Sequence, residues 1–217
     1  LVAGDNAFAD VLRKAQRPLI IVGQGALARP DGAAVLALAA QLATDVGAVK
    51  EGWTGFAVLH TAAARVGGLD LGFVPGEGGK DLAGMMGALD VLFLLGADEF
   101  DTGAIGDAFT VYIGTHGDAG AHRANVILPA ASYTEKSGTY VNTEGRVQMS
   151  IRANFAPGDA REDWAILRAL SDVLGHKLPF DSLDALRARL YADHPHMAML
   201  DAIAPADPAA IGRFAKK

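Results

Sequence analysis

The chain has 217 residues, 51% of them hydrophobic, with 26 glycines, few aromatics, no cysteine and a formal net charge of −6. Such a length suits one substantial core plus an appendage, and the glycine-rich, aromatic-poor composition suits helices packed closely on a sheet. The lack of cysteine excludes disulfides, thiolate-held zinc and all-cysteine iron–sulfur clusters within these residues, an acidic surface disfavours nucleic acid and anionic membranes, and no apolar run approaches the roughly 20 residues that span a bilayer.

Residues 1–150 carry 10 Lys+Arg against 16 Asp+Glu, whereas residues 151–217 carry nine of each. The acid excess thus lies in the first part. Leu1 is not an initiator Met, and Leu1-Val2-Ala3-Gly4 is too short for a signal peptide. The expectation is a soluble fragment of a longer protein.

Arg17-Pro18 precedes the apolar run Leu19-Ile20-Ile21-Val22, which reads as a buried parallel strand ending in the turn Gly23-Gln24-Gly25. Pro30-Asp31 opens a helix to about Thr44, with Val35, Leu38, Ala39 and Leu42 on one face. Glycines 47, 52 and 55 break any period across 46–60, and Ala57 to Arg65 suggests a short helix. A helix from about Lys80 to Leu89 then leads into the strand Val91-Leu92-Phe93-Leu94-Leu95 and a second glycine turn, Gly96-Ala97-Asp98-Glu99.

Strands at Thr110 to Ile113 and Val126 to Pro129 flank a helical turn near Ala119 to Ala124. Apolar strands alternating with helices predict an α/β fold: a mostly parallel sheet with Rossmann-like layers of helices on both faces. Residues 133–148 read as an ordered loop with β-prone pieces such as Thr139-Tyr140-Val141. Beyond Pro157-Gly158, Trp164, Leu167, Leu170, Val173 and Leu174 mark an amphipathic helix, Leu183 to Tyr191 suggests another, and Pro205 and Pro208 mark a loosely held end. The division expected is an α/β domain over 1–150 and a helical extension over 151–217.

Gly23-Gln24-Gly25-Ala26-Leu27-Ala28 satisfies G-x-G-x-x-G/A, in which glycines let the backbone approach a pyrophosphate at a helix N-terminus. Arg29-Pro30-Asp31 delays the predicted helix, so a structural strand-to-helix turn is the favoured reading and ligand contact the other. His60, His116, His122, His176, His194 and His196 show no helical metal-ligand spacing with a carboxylate, so no metal site is expected. Asp98, Glu99 and Asp101 crowd one strand end, where open α/β folds place their crevice; a solvated acidic loop is favoured over an acid–base pair. No catalytic residue is assigned.

The most specific segment runs from Gly114-Thr115-His116-Gly117-Asp118 through Asn125-Val126-Ile127-Leu128-Pro129 to Tyr133-Thr134-Glu135-Lys136-Ser137-Gly138-Thr139-Tyr140-Val141-Asn142-Thr143-Glu144-Gly145-Arg146-Val147-Gln148. It resembles the closing signature of the molybdopterin oxidoreductases and, within them, the family of large iron–sulfur subunits of the bacterial NADH–quinone oxidoreductase, respiratory complex I. Both glycine turns fit the same pattern, and the likeness covers about residues 15 to 175. From the residues themselves, Gly138 and Gly145 permit turns closed to other residues, Glu135 and Glu144 can accept backbone or arginine donors, and Arg146 can pair with a carboxylate. Such a lattice orders a long loop, and that reading is preferred to cofactor contact.

The resemblance implies a molybdoenzyme-like fold and vestigial pterin-site positions at Gly23, Gln24, Gly25, Gly96, Asp98, Asp118 and Asn142. Active relatives commonly carry hydroxyls where this chain has Asp118-Ala119-Gly120-Ala121, and Asn where it has Asp98; Asn125 stands for the family's Asp. Two added carboxylates repel an anionic cofactor, and helices occupy 159–217 where molybdenum enzymes continue into a β-barrel. The role implied is that of a non-catalytic domain without a cofactor of its own. Its parent holds iron–sulfur clusters in an N-terminal region, relays electrons from NADH to quinone and sits in the peripheral arm on the cytoplasmic side of the inner membrane, and its partners are the rest of that subunit and neighbouring subunits. The rival is a fragment of a true molybdopterin-dependent oxidoreductase in which Gly23, Gly25, Gly96 and Asn142 touch the cofactor; a small nucleotide-binding module is a third reading.

Overall fold

A computed structural model describes residues 1–3, 6–204 and 207–215. In chain order the elements are α1 (Ala7–Lys14), β1 (Ile20–Gly23), α2 (Gln24–Leu27), α3 (Gly32–Asp45), β2 (Val49–Lys50), β3 (Trp53–Thr54), β4 (Phe56–Leu59), α4 (Arg65–Asp70), α5 (Leu82–Met85) and β5 (Val91–Leu95). They continue with β6 (Phe109–Gly114), α6 (Ala119–Arg123), β7 (Val126–Pro129), β8 (Gly138–Val141), β9 (Val147–Ser150), α7 (Asp163–Val173), α8 (Leu183–Asp193) and α9 (Pro208–Ala215), with single 3₁₀ turns at Thr102–Ile105 and Pro195–Ala198. Pro205 lies outside the described residues.

The chain is α/β with parallel sheets, as its alternation of apolar runs and helices predicts, but it falls into two compact units. The first comprises residues 1–67, 140–148 and 199–217, and the second 68–139 and 149–198. A division at residue 150 cuts across both.

In the first unit β1 pairs with β4 in parallel, Ile20 opposite Phe56 and Gly23 opposite Leu59. This corrects the short helix expected from Ala57: the stretch is a strand because β1 offers it a ladder, and helix begins only at Arg65. β2 and β3 form a small antiparallel hairpin turned by Gly52, and α3 packs on β1 and on α9. The buried face of α3 is also not the expected one. Gly32, Ala40 and Ala43 are buried while Leu38 is 58% exposed, because small side chains let the helix approach its neighbours closely.

In the second unit β5, β6 and β7 form a parallel three-stranded sheet, Leu95 opposite Ile113 and Gly114 opposite Pro129. One core gathers Leu92, Leu94, Ile105, Ala108 and Tyr112; a second gathers Val111, Ile113 and Ala130 under Ile166 and Leu167 of α7. The predicted helix at 80–89 shrinks to the single turn α5, stopped before Gly87, whose φ is +67°. α7 turns differently from its predicted stripe: Val173 and Leu174 face outward, while Arg168 is buried. Its guanidinium donates to the Phe180 carbonyl (2.9 Å) and pairs with Asp172 (2.8 Å) and Asp181, so its charge is compensated where it enters the core.

Candidate functional site: two strand-end turns

The turn after β1 departs from its sequence reading. Helix starts at once: Gly23 caps α2 with φ −79° and ψ 145°, and the Ala28 N–H donates to the Gln24 carbonyl (3.0 Å). The delay expected at Arg29-Pro30-Asp31 is a break between α2 and α3, braced by an Arg29–Asp31 ion pair (2.7 Å) that holds the Asp31 carboxyl below its ordinary pKa. A Cβ built on Gly23 or Gly25 meets nothing within 4 Å. Neither backbone angle nor crowding demands glycine at these two positions.

Two polar atoms at this sheet end are buried without a partner among the described residues, Gln24 Oε1 and His60 Nδ1. Since Gly23 pairs with Leu59, these residues follow directly on adjacent parallel strands, at the carboxyl ends where open α/β sheets bind ligands. Beside His60 lies a pocket of about 290 Å³, lined also by Thr61, Tyr140, Asn142, Thr143 and Gln148. His60 carried no role in the sequence reading because its strand was not recognised as one.

Asn142 is held by its own loop, its Oδ1 accepting from the backbone N–H groups of Glu144 (2.9 Å) and Arg146 (3.0 Å). That loop joins β8 to β9 and turns at Gly145, whose φ is +82°. Arg146 approaches Glu144 through one contact of 3.6 Å, and its other terminal nitrogen donates to the Asp201 carbonyl. Gly138, expected at a turn, is instead in strand β8, its N–H donating to Ser150 Oγ (3.0 Å), and Glu135 accepts from the Ser132 N–H (2.9 Å).

The turn after β5 belongs to the second unit and is built otherwise. Gly96 has φ +59°, a conformation costly for residues with a Cβ, and its N–H donates to the Ile113 carbonyl (2.8 Å). Asp98 Oδ2 accepts from the Gly120 N–H (2.9 Å), within the first turn of α6, and Asp118 is that helix's N-cap residue. The acidic loop is therefore not simply solvated: Asp98 takes up a helix donor, and Asp101 caps the following 3₁₀ turn through the Gly103 N–H (3.0 Å).

Tyr112 stands against this arrangement, 4% exposed. Burial, and then the charges of Asp98 and Asp118, raise its phenol above the ordinary pKa. A Cβ on Gly120 would lie 2.7 Å from the Tyr112 ring and 3.0 Å from the Asp98 Cβ, so glycine is what allows the close approach. Asn125 has a structural task, its Oδ1 accepting from the N–H of buried Thr110 (2.8 Å).

The seven residues singled out by resemblance thus divide between the units. Gly23, Gln24, Gly25 and Asn142 fall in the first, and Gly96, Asp98 and Asp118 in the second. Among the described residues no group of three or more His, Asp or Glu could hold a metal ion.

Parallel strands ending in glycine turns, with the closing 133–148 hairpin, define a class. The molybdopterin oxidoreductase family model matches residues 1–173, and the chain belongs to that family. It is similar to the NADH-ubiquinone oxidoreductase 75 kDa subunit of Reclinomonas americana, 43% identical over 201 residues, covering 92% of this chain and 29% of that protein. Similar too are the NADH dehydrogenase [ubiquinone] iron-sulfur protein 1, mitochondrial, of Solanum tuberosum (44% over 207 residues; 95% and 27%) and the NADH-ubiquinone oxidoreductase 78 kDa subunit, mitochondrial, of Candida albicans (47% over 202; 92% and 27%). The chain spans less than a third of the length of these relatives. The resemblance drawn from the 133–148 block holds across nearly the whole chain.

Proposed function

We propose that this chain serves as a non-catalytic structural domain of the large iron–sulfur subunit of an NADH–quinone oxidoreductase, whose parent relays electrons from NADH to quinone. The observation that carries the reading is the Asp98 carboxylate on the Gly120 N–H, with Asp118 beside it. A pterin nucleotide brings phosphate, which needs free donors and positive potential; here a donor of α6 is already used by an internal anion, and two carboxylates add repulsion. These residues do not fit that cofactor.

The chain has no cysteine, so clusters of the kind named in its Solanum relative would be held by thiolates elsewhere in the parent. Partners are then the remainder of that subunit and neighbouring subunits of a peripheral arm on the cytoplasmic side of the membrane. Among the described residues no helix is long and apolar enough to cross a membrane. The test is elemental analysis of the parent protein: iron without stoichiometric molybdenum is expected, and one or more molybdenum atoms per subunit, with a pterin released on denaturation, overturns the reading.

One observation favours the rival, a fragment of a true molybdopterin-dependent enzyme touching its cofactor through Gly23, Gly25, Gly96 and Asn142. Open space at Gly23 and Gly25 beside the unpartnered Gln24 and His60 atoms suits contact with a guest. The same analysis decides between them.

A further inference from the structure

Among the described residues of the first unit, helices cover one face of its parallel sheet. β1 packs on α3 and buries Val22, while Leu19 and Ile21, on the opposite face, are 55% and 53% exposed. Across the ladder Ile21 meets Ala57 and Gly23 meets Leu59, so Leu59, 48% exposed, continues the same open face. Parallel sheets are stable when both faces are covered, usually by helices, because each strand is apolar on both sides. β1 and β4 read that way, yet among the described residues of this unit no helix forms the second layer.

A groove of about 1150 Å³ lies where that layer belongs, floored by Leu19, Ile21, Ala57 and Leu59 and flanked by Trp53 and Ile203. An α-helix about 10 Å across would fill this volume over roughly three turns. The charged side chains lining it are Glu51 and Glu144, and no Lys or Arg is among its described lining residues. Arg146 contacts Glu144 at 3.6 Å from outside the groove, and the neighbouring Lys50 is engaged with the Gln16 carbonyl (2.8 Å).

We infer that this groove seats an amphipathic α-helix whose apolar stripe is flanked by Lys or Arg, supplied by the parent subunit outside these 217 residues. The inference rests on the proposed parentage, since the relatives extend far beyond the matched stretch. Apolar side chains would cover Ile21 and Leu59, and the basic flanks would face Glu51 and Glu144.

The first arm of the test titrates the chain with a fluorescent Leu/Lys amphipathic helical peptide and with its Leu/Glu counterpart. The expected result is at least ~10-fold tighter binding of the Leu/Lys probe. Ile21→Asp and Leu59→Asp should each abolish binding, the double change Glu51→Lys with Glu144→Lys should reverse the preference, and Glu77→Lys, in the other unit, should leave it intact. No binding, or equal effects of the groove and Glu77 changes, overturns the proposal.

The second arm uses the absence of cysteine, since Leu59→Cys gives a single thiol in the chain. Maleimide labelling, read by mass spectrometry on the peptide containing position 59, should be fast in the isolated chain and at least ~10-fold slower in the full-length subunit, by analogy with burial at helix–sheet contacts. Undiminished labelling in the full-length subunit overturns the assignment, as does protection that appears only in the assembled complex or only through self-association of the chain. Neither arm depends on molybdenum content, so its failure is distinguishable from failure of the proposed parentage.

Discussion

The turns after β1 and β5 look alike in sequence, each an apolar strand running into glycine, yet glycine does different work in each. Gly96 adopts φ +59° and would be strained with any side chain, whereas Gly23 is at φ −79° with open space where a Cβ would stand. One turn is fixed by backbone geometry and sealed by Asp98 on the Gly120 N–H; the other leaves Gln24 and His60 atoms unpartnered. A glycine motif therefore marks a turn, and only the angles and neighbours tell whether the residue is required.

The largest effect that would sharpen this contrast is expected from Gly120→Ala. Its Cβ would meet the Tyr112 ring at 2.7 Å in a packed core, an overpacking cost of about 1–3 kcal/mol. Gly120 is the second residue of the five-residue α6, where the interior helix preference for alanine offsets little of this cost, and denaturant unfolding should show destabilisation. Unchanged stability would mean that Tyr112 moves freely.

Next comes the paired comparison of Gly96→Ala with Gly23→Ala. The first forces a side chain into the left-handed region and should lose about 1–2 kcal/mol, while the second should stay within about ±0.5 kcal/mol. Equal losses in thermal or denaturant melts would break the distinction between the turns.

The smallest effect is a pH dependence. Tyr112 titrates above its ordinary 10.0 because burial, and then Asp98 and Asp118, disfavour the phenolate. The stability this confers is fully present below the unfolded pKa and is lost as pH rises through the higher folded value. Tyr112→Phe should flatten the alkaline limb of the stability curve relative to the unsubstituted chain, and an unaltered limb would place the tyrosine in water.

Much of the second unit was legible in the sequence. Val91 to Leu95, Thr110 to Ile113 and Val126 to Pro129 are short apolar runs bounded by turn residues, a pattern that local chemistry decides. The first unit was harder. β4 follows three glycines and is a strand because β1, more than thirty residues earlier, pairs with it. The inward face of α3 was hidden because periodicity counts large apolar residues while the tight contact uses Ala40 and Ala43. In α7 the burial of Arg168 depends on Asp172, Asp181 and the Phe180 carbonyl, partners that no helical wheel shows.

At the candidate site the sequence identified the residues but not their partners. Asp98 stood out as a strand-end carboxylate and Asp118 as a departure from the family pattern, but the bond from Gly120 to Asp98 joins positions 22 apart and depends on how β5 and β6 align. His60 was missed with its strand.

The path of the chain has a consequence for synthesis. It passes between the two units at 67/68, 139/140, 148/149 and 198/199, and α9 (Pro208–Ala215), which packs on α3 (Gly32–Asp45), follows it only after two excursions through the other unit. A ribosome making this protein releases α3 long before α9 emerges, so the first unit cannot mature vectorially. Nascent chains stalled before residue 199 should expose α3 to chaperones, and completion of this unit waits until α9 has left the ribosome.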